Sequence, residues 1–222
     1  MKVRYLGHSA FRIETGDNVI LIDPFLVPNK EYNFQNDNIS YVFVTHGHSD
    51  HLGSAIDISK TKGAPIVGVF ELANYCTQHG ARAIGVNLGG WIDFPFGRVY
   101  FAPAFHSSSF ADGTYAGCPA GILMETEGKK IFHAGDSALT QEYKTLGELN
   151  EIELAMLPIG GFYTMGTPDA IVASKWLGSK KVIPMHYNTF DLIKVDTKTF
   201  EEGLKKEGVT PYVLAYNEEI EI

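Results

Sequence analysis

The sequence lacks the features that mark membrane and secreted proteins. Its 222 residues include only two cysteines, Cys76 and Cys118, and these stand apart without Cys-x-x-Cys spacing. No stretch approaches the roughly 18 consecutive apolar residues of a membrane span, and residues 1–14 lack the apolar segment of a secretory signal. We therefore expect a protein of the reducing cytoplasm, with no membrane partner.

Positive charge is also scarce. The chain has 18 Lys and Arg against 26 Asp and Glu, a formal net charge of −8, and its basic residues form no run. Affinity for nucleic acid rests largely on Lys and Arg that neutralise phosphates. The composition therefore predicts a small-molecule substrate and no nucleic-acid partner, and it is compatible with a homo-oligomer.

Short β-branched and aromatic runs separated by turn residues predict a chain rich in strands. The predicted strands are residues 3–6, 11–14, 19–22, 41–45, 65–70, 82–86, 99–105, 121–125, 130–133, 154–158, 181–186 and 212–216, and the predicted helices are 52–60, 71–79, 141–149, 169–178 and 199–208. The first three strands read as an antiparallel meander. No linker or repeat divides the chain, so 1–222 is expected to be one domain, with two strand-rich halves covered by helices.

The densest chemical signal follows the apolar run at 41–45. Four potential metal ligands, His46, His48, Asp50 and His51, lie within six residues, and the small Gly47 between them leaves space. Neutral imidazole and carboxylate are the usual nitrogen and oxygen donors for zinc and related divalent ions. The segment therefore predicts a metal site.

Three further candidate ligands each follow a predicted strand. His106 comes after strand 99–105, Asp136 follows strand 130–133, and His186 ends strand 181–186. The carboxyl ends of strands are where α/β folds project functional groups. We therefore expect these three side chains to complete the metal site.

With these residues in view, the sequence resembles the metallo-β-lactamase superfamily. His46-x-His48-x-Asp50-His51 followed by His106, Asp136 and His186 is similar to that family's dinuclear signature in order and spacing. Further segments resemble a prokaryotic group of metal-dependent hydrolases similar to the ascorbate-6-phosphate lactonase branch: Leu6-Gly7-His8-Ser9, Asp23-Pro24-Phe25, His133-Ala134-Gly135-Asp136, residues 158–166 and His186-Tyr187-Asn188-Thr189-Phe190. The resemblance implies an α+β fold, a four-layer αββα sandwich with the site at one edge between the sheets.

The resemblance also implies a division of the ligands between two metal ions. His46, His48 and His106 would hold one ion, Asp50, His51 and His186 the other, and Asp136 would bridge them with a hydroxide in between. Zinc is the expected metal, with manganese or iron as alternatives.

Two divalent ions about 3.5–4 Å apart can convert a bridging water to hydroxide and polarise a substrate oxygen, so no Ser or Cys nucleophile is needed. Asp50 is the candidate that orients or deprotonates the water. The sequence thus predicts a dinuclear hydrolase of a small, anionic metabolite with an ester, lactone or phosphodiester bond. Two alternatives stay open: a nuclease or cyclic-nucleotide phosphodiesterase, and, from another class, a metal-stabilised binding or sensing protein.

Other polar residues near these motifs are assigned supporting roles. His8, after the first strand, is a candidate to act in catalysis, to contact substrate or to hold a metal ligand in place, and Tyr163 and Asn188 are candidates for substrate binding. Asp23 is expected to accept a hydrogen bond from the ring N–H of a ligand, and His133 to lie behind the ligands.

Overall fold

Fourteen strands form two seven-stranded sheets in the computed structural model, which describes residues 1–222. The first sheet has the order β14-β1-β2-β3-β4-β5-β6 and the second β13-β12-β11-β10-β9-β8-β7. Their bounds are β1 Lys2–Gly7, β2 Ala10–Thr15, β3 Asn18–Ile22, β4 Ile39–Phe43, β5 Ile66–Val69, β6 Ala83–Val86, β7 Trp91–Phe94, β8 Gly97–Pro103, β9 Ala120–Thr126, β10 Lys129–His133, β11 Ile152–Pro158, β12 Lys181–Met185, β13 Thr210–Pro211 and β14 Glu219–Glu221.

Each sheet begins as an antiparallel meander and continues with parallel strands. β1, β2 and β3 pair antiparallel, and β4, β5 and β6 follow in parallel. In the second sheet β7 to β10 are antiparallel and β11 to β13 are parallel. The central parallel strands β5, β11 and β12 are buried on both faces, which explains why their sequences are almost continuously apolar, whereas the edge strands β6 and β13 are partly exposed. The two halves of the chain therefore repeat one plan, as the sequence predicted.

Helices cover the outer face of each sheet. Their bounds are α1 Ser49–Leu52, α2 Ala55–Lys62, α3 Phe70–Gln78, α4 Glu142–Leu149, α5 Thr167–Leu177 and α6 Thr197–Lys206. A cluster of 39 buried apolar residues fills the space between the sheets and beneath α4 to α6, and a cluster of 16 lies between the first sheet and α2 and α3. The predicted αββα sandwich is confirmed. No helix is both long and apolar enough to cross a membrane.

Four local predictions are wrong. The predicted strand 212–216 is absent, because Pro211 ends β13 after two residues and the chain then turns back to place β14 beside β1. The predicted helix 52–60 is split at Gly53, whose φ of 45° belongs to the left-handed region. Strands β7 and β14 were not predicted, since neither carries an extended apolar run.

Candidate metal centre

The seven predicted metal ligands converge at one edge of the sandwich, where the carboxyl ends of strands from both sheets meet. His46 and His48 follow β4, His106 follows β8, and Asp136 and His186 follow β10 and β12. Asp50 and His51 lie in the short helix α1 directly after His48. The sandwich therefore joins residues that are as many as 140 positions apart in sequence (186 − 46).

Two groups of side chains can be distinguished within this cluster, and a third set of close donor atoms, from His46, His51 and Asp136, joins them. In the first, His46, His48 and His106 offer nitrogen atoms within 4.8 Å of one another. In the second, the same limit holds for donor atoms of Asp50, His51 and His186, together with those of His8.

Asp136 lies between the two groups. One of its carboxylate oxygens, Oδ2, is 3.1 Å from His186 Nε2 and 3.5 Å from His106 Nε2. The other, Oδ1, is 3.2 Å from His51 Nε2. A single carboxylate thus contacts histidines of both groups.

The polar atoms of this cluster fit divalent cations. His51 Nε2 and Asp136 Oδ1 are buried and face each other at 3.2 Å, but neither makes a hydrogen bond of good geometry. Leaving a buried polar atom unsatisfied costs about 1–3 kcal/mol, and such atoms are rare in native proteins. A cation coordinated by both atoms would remove this cost, and imidazole with carboxylate is a donor set that zinc, manganese and iron accept.

The two groups differ in their electrostatics. Burial lowers the pKa of all three histidines in the first group, so their rings are neutral, and the rings of His46 and His48 are hydrogen-bonded to each other at 2.9 Å. In the second group burial opposes protonation of His51, but Asp136 and Asp23 raise its pKa well above the usual value. Burial alone would raise the pKa of Asp136, but the charges of His51 and His186 lower it well below its ordinary value. A cation that binds the second group must therefore displace protons.

Asp23 holds His51 in place. This carboxylate is fully buried and accepts hydrogen bonds from Thr45 N (2.8 Å), Thr45 Oγ1 (2.7 Å) and His51 Nδ1 (2.7 Å). Because Asp23 accepts the proton of Nδ1, the other ring nitrogen, Nε2, is directed toward Asp136 and is the atom that could coordinate a cation once its own proton is displaced. The structure thus places Asp23 where an acceptor for a ligand N–H was predicted; Thr45, which completes the arrangement, was not singled out from the sequence.

His133 supports the turn that carries Asp136. Its Nε2 donates to the carbonyl oxygen of Ser9 at 2.9 Å, and its Nδ1 accepts from Gly135 N at 3.1 Å. The Gly135 backbone has φ of 60°, and a Cβ there would lie 2.6 Å from the carbonyl oxygen of Ala120. Glycine is therefore required at this turn, and His133 lies behind the cluster as predicted.

The position of His8 favours one of its predicted roles. Its side chain is fully buried and does not line the cavity, a position that fits holding a metal ligand in place better than contacting substrate. His8 Nε2 donates to Asp50 Oδ2 at 3.2 Å, while Nδ1 accepts from Thr189 Oγ1 at 2.5 Å. Burial lowers the pKa of His8 to about 4, so the ring is neutral. His8 therefore positions Asp50, and its partner Thr189 was missed because no sequence pattern links residues 181 positions apart.

A cavity of about 240 Å³ opens onto the cluster. Its lining residues are His48, Asp50, His106, Ser107, Asp136, Tyr163 and His186. Tyr163 is thus placed where a substrate-binding residue was predicted. Asn188 is not: its amide donates to the carbonyl oxygen of Val195 and accepts from Val195 N, so it braces its own loop.

The chain is similar to known proteins along most of its length. A family model described as the beta-lactamase superfamily domain matches residues 2–186. Metal-dependent hydrolases of Bacillus cereus and Bacillus anthracis are 44% identical over 99% of both chains. Among solved structures, a metallo-hydrolase of the hyperthermophilic archaeon Ignicoccus hospitalis is 36% identical with a TM-score of 0.91, covering 99% of this chain and 97% of its own. An isothiocyanate hydrolase from Delia radicum gut bacteria, 18% identical over 100% and 99% of the two chains, shares the fold with a TM-score of 0.82.

Proposed function

The chain belongs to the beta-lactamase superfamily, and from this premise we propose that it is a dinuclear metal-dependent hydrolase of a small, anionic metabolite with an ester, lactone or phosphodiester bond. Its relatives in Bacillus are named metal-dependent hydrolases. The observation that carries the proposal is Asp136, one carboxylate within 3.5 Å of histidines from two separate ligand groups.

The side-chain groups support a division of ligands between two ions. The first group would hold one ion and the second group another, with Asp136 within reach of both groups. The residues assigned are His46, His48 and His106 for the first ion, and Asp50, His51 and His186 for the second. Zinc suits this donor set, and manganese or iron are the alternatives that metal analysis distinguishes.

A bound pair of divalent ions supplies Lewis acidity toward a substrate oxygen and lowers the pKa of a water molecule. Asp50 lines the cavity. Although burial opposes ionisation of Asp50, the nearby His186 and the hydrogen bond from His8 lower its pKa and keep it ionised. An ionised carboxylate at this position orients an attacking water and accepts its proton. His8, itself held by Thr189, keeps that carboxylate in place.

Cavity size and charge support a small substrate. A volume of about 240 Å³ accommodates a metabolite-sized group, and two divalent ions concentrate positive charge there, which favours one anionic group over a chain of phosphates. Cys76 and Cys118 are unpaired, which supports a reducing compartment such as the cytoplasm.

The proposal is tested by elemental analysis of the purified protein together with hydrolysis of thioesters, lactones and phosphodiesters. Asp136→Ala is expected to lose metal. Its turnover should fall by more than roughly 10- to 100-fold, which is the usual cost of removing a residue that only hydrogen-bonds to a metal ligand. Asp57→Ala, which removes an exposed carboxylate on α2, is the control and should change neither. Two metals per chain and undiminished turnover in the Asp136 variant would refute the assignment.

A further inference from the structure

Four aromatic side chains stand exposed around the metal cavity. Phe105, Phe162, Tyr163 and Phe190, here called the aromatic rim, have 67%, 62%, 51% and 41% of their surface exposed. They come from three loops, which follow β8, β11 and β12. Clustered exposed apolar side chains at a site mark a surface that binds a ligand or a partner.

The rim is continuous with the cavity. Tyr163 itself lines the cavity, and the Phe162 ring packs edge-on against it with the ring centroids 4.7 Å apart. Phe105 directly precedes His106, another lining residue. Phe190 lies further from the cavity: its ring packs against His8 with the centroids 5.3 Å apart, and His8, which does not line the cavity, lies 4.1 Å from the lining residue His186.

Backbone hydrogen bonds hold two of these loops to the segment that carries Asp136. Phe105 N donates to Ser137 Oγ at 3.0 Å. In the 160–166 loop, Met165 is buried and its N–H donates to the carbonyl oxygen of Ser137 at 2.9 Å, while Gly161 N donates to the Met165 carbonyl at 3.2 Å. Part of the rim is therefore fixed relative to the ligands, and such fixed aromatic surface binds at a low entropic cost.

The cavity offers no cation from the protein beyond its histidines. Its seven lining residues include Asp50 and Asp136 but neither Lys nor Arg. Lys194, on the loop that carries Phe190, is paired with Asp191 at 2.7 Å. A substrate with one anionic group is matched by the metal ions, whereas a second anionic group would meet carboxylates or aromatic rings and would lose its hydration without a partner.

We infer that the substrate carries an apolar group, an aryl or acyl moiety, which packs against the aromatic rim, and has no second anionic group beyond the one at the scissile bond. This inference rests on the proposed function, because it assigns the scissile bond to the metal site. It excludes sugar phosphates and other metabolites with a distal phosphate or carboxylate.

Calorimetric binding of three non-hydrolysable probes to the purified protein, with its metal content measured, tests the inference. Methylphosphonate, phenylphosphonate and 4-phosphonobenzoate share one head group and differ in an aromatic ring and a distal charge. We expect phenylphosphonate to bind at least about tenfold tighter than methylphosphonate, in line with the 10- to 200-fold effect of filling an apolar pocket, and 4-phosphonobenzoate to lose that gain. Equal binding of all three, tighter binding of 4-phosphonobenzoate, or no binding would overturn the inference.

Variants locate the effect. Tyr163→Ala is expected to lower the affinity for phenylphosphonate about three- to tenfold, with methylphosphonate unaffected, and Tyr163→Phe to restore it because the ring makes the contact. Leu149→Ala removes an apolar side chain that is 75% exposed at the end of α4, away from the rim, and should leave binding unchanged. Loss of phenylphosphonate affinity in the Leu149 variant alone would contradict the assignment. If the probes bind as expected but no ester, lactone or phosphodiester is hydrolysed, the proposed function fails while the inference about the rim stands.

Discussion

Replacing Asp23 by Asn tests how the fold prepares His51 as a metal ligand. Asn has nearly the shape of Asp and tolerates the left-handed backbone found at this position, where φ is 46°. The change therefore alters hydrogen bonding with little effect on packing. Since Asp23 accepts three hydrogen bonds and donates none from its side chain, an amide in its place must set a donor against a donor.

The cost can be worked out for both orientations of the amide. If the amide NH2 group faces Thr45 N, a buried backbone donor loses its acceptor, which costs about 1–3 kcal/mol. If the NH2 group faces His51 Nδ1, the ring proton must move to Nε2, the atom that faces Asp136. The first orientation lowers the free energy of unfolding, corresponding to about 2–12 °C in Tm for a chain of this size. The second orientation blocks the lone pair needed for coordination, and a loss of roughly 10- to 100-fold in metal affinity follows.

Chelator competition measures the metal affinity, and thermal unfolding of the metal-free protein measures the stability separately. Asp37→Asn is a matched control, because Asp37 also accepts three hydrogen bonds, from Arg12 and Tyr32, but lies before the opposite end of β4. We expect that variant to lose stability and keep its metal affinity. An Asp23→Asn variant that binds metal as tightly as the wild type, or an equal loss of affinity in both variants, would refute the proposed role of Asp23.

Three further predictions concern the metals, the substrate and the pH dependence. In a metal titration, His106→Ala and His186→Ala should each weaken a different metal site. His79→Ala, which removes a ring that caps α3, should weaken neither. An equal and simultaneous loss of both metals in both ligand variants would contradict the division of the ligands between two ions. Titration with labelled RNA and DNA at physiological salt should show little binding, whereas tight binding with a salt slope of several phosphate contacts would favour a nuclease. Although partial burial raises the pKa of Asp37, the hydrogen bond and charge of Arg12 lower it below its ordinary value of 3.8. The stability that Asp37 contributes is thus complete above that pH and is lost as the pH falls through the lower folded-state pKa. The difference in unfolding free energy between the wild type and Asp37→Asn should therefore shrink below about pH 4. A difference that is undiminished at about pH 2 would contradict this.

The strands and helices were largely predictable because their signals are local. Alternating or continuous apolar runs bounded by glycine and turn residues placed most strands within a few residues of their observed bounds. The failures lie where the signal is not local. β14 is strand only because its backbone pairs with β1, more than 200 residues away in sequence, as in the pairing of Lys2 with Glu221.

The candidate ligands were also visible in the sequence, since His46, His48, Asp50 and His51 form a dense motif and His106, Asp136 and His186 each follow a strand. The residues that orient them were harder to assign. His8 and Asn188 lie in motifs that suggested contact with substrate, yet one is buried behind Asp50 and the other braces its own loop.

The αββα plan was implied only by the resemblance to a known family. What the sequence determined by itself was therefore the order of secondary structure and the chemical identity of the candidate metal-binding side chains. These follow from residue type and short-range spacing. The tertiary structure decided which atoms face one another: that Asp136 lies between two ligand groups, that Thr189 holds His8, and that aromatic side chains from three loops surround the cavity. The physical reason is that each of these contacts joins loops at the ends of strands from separate parts of the chain, and their distances depend on how the two sheets pack.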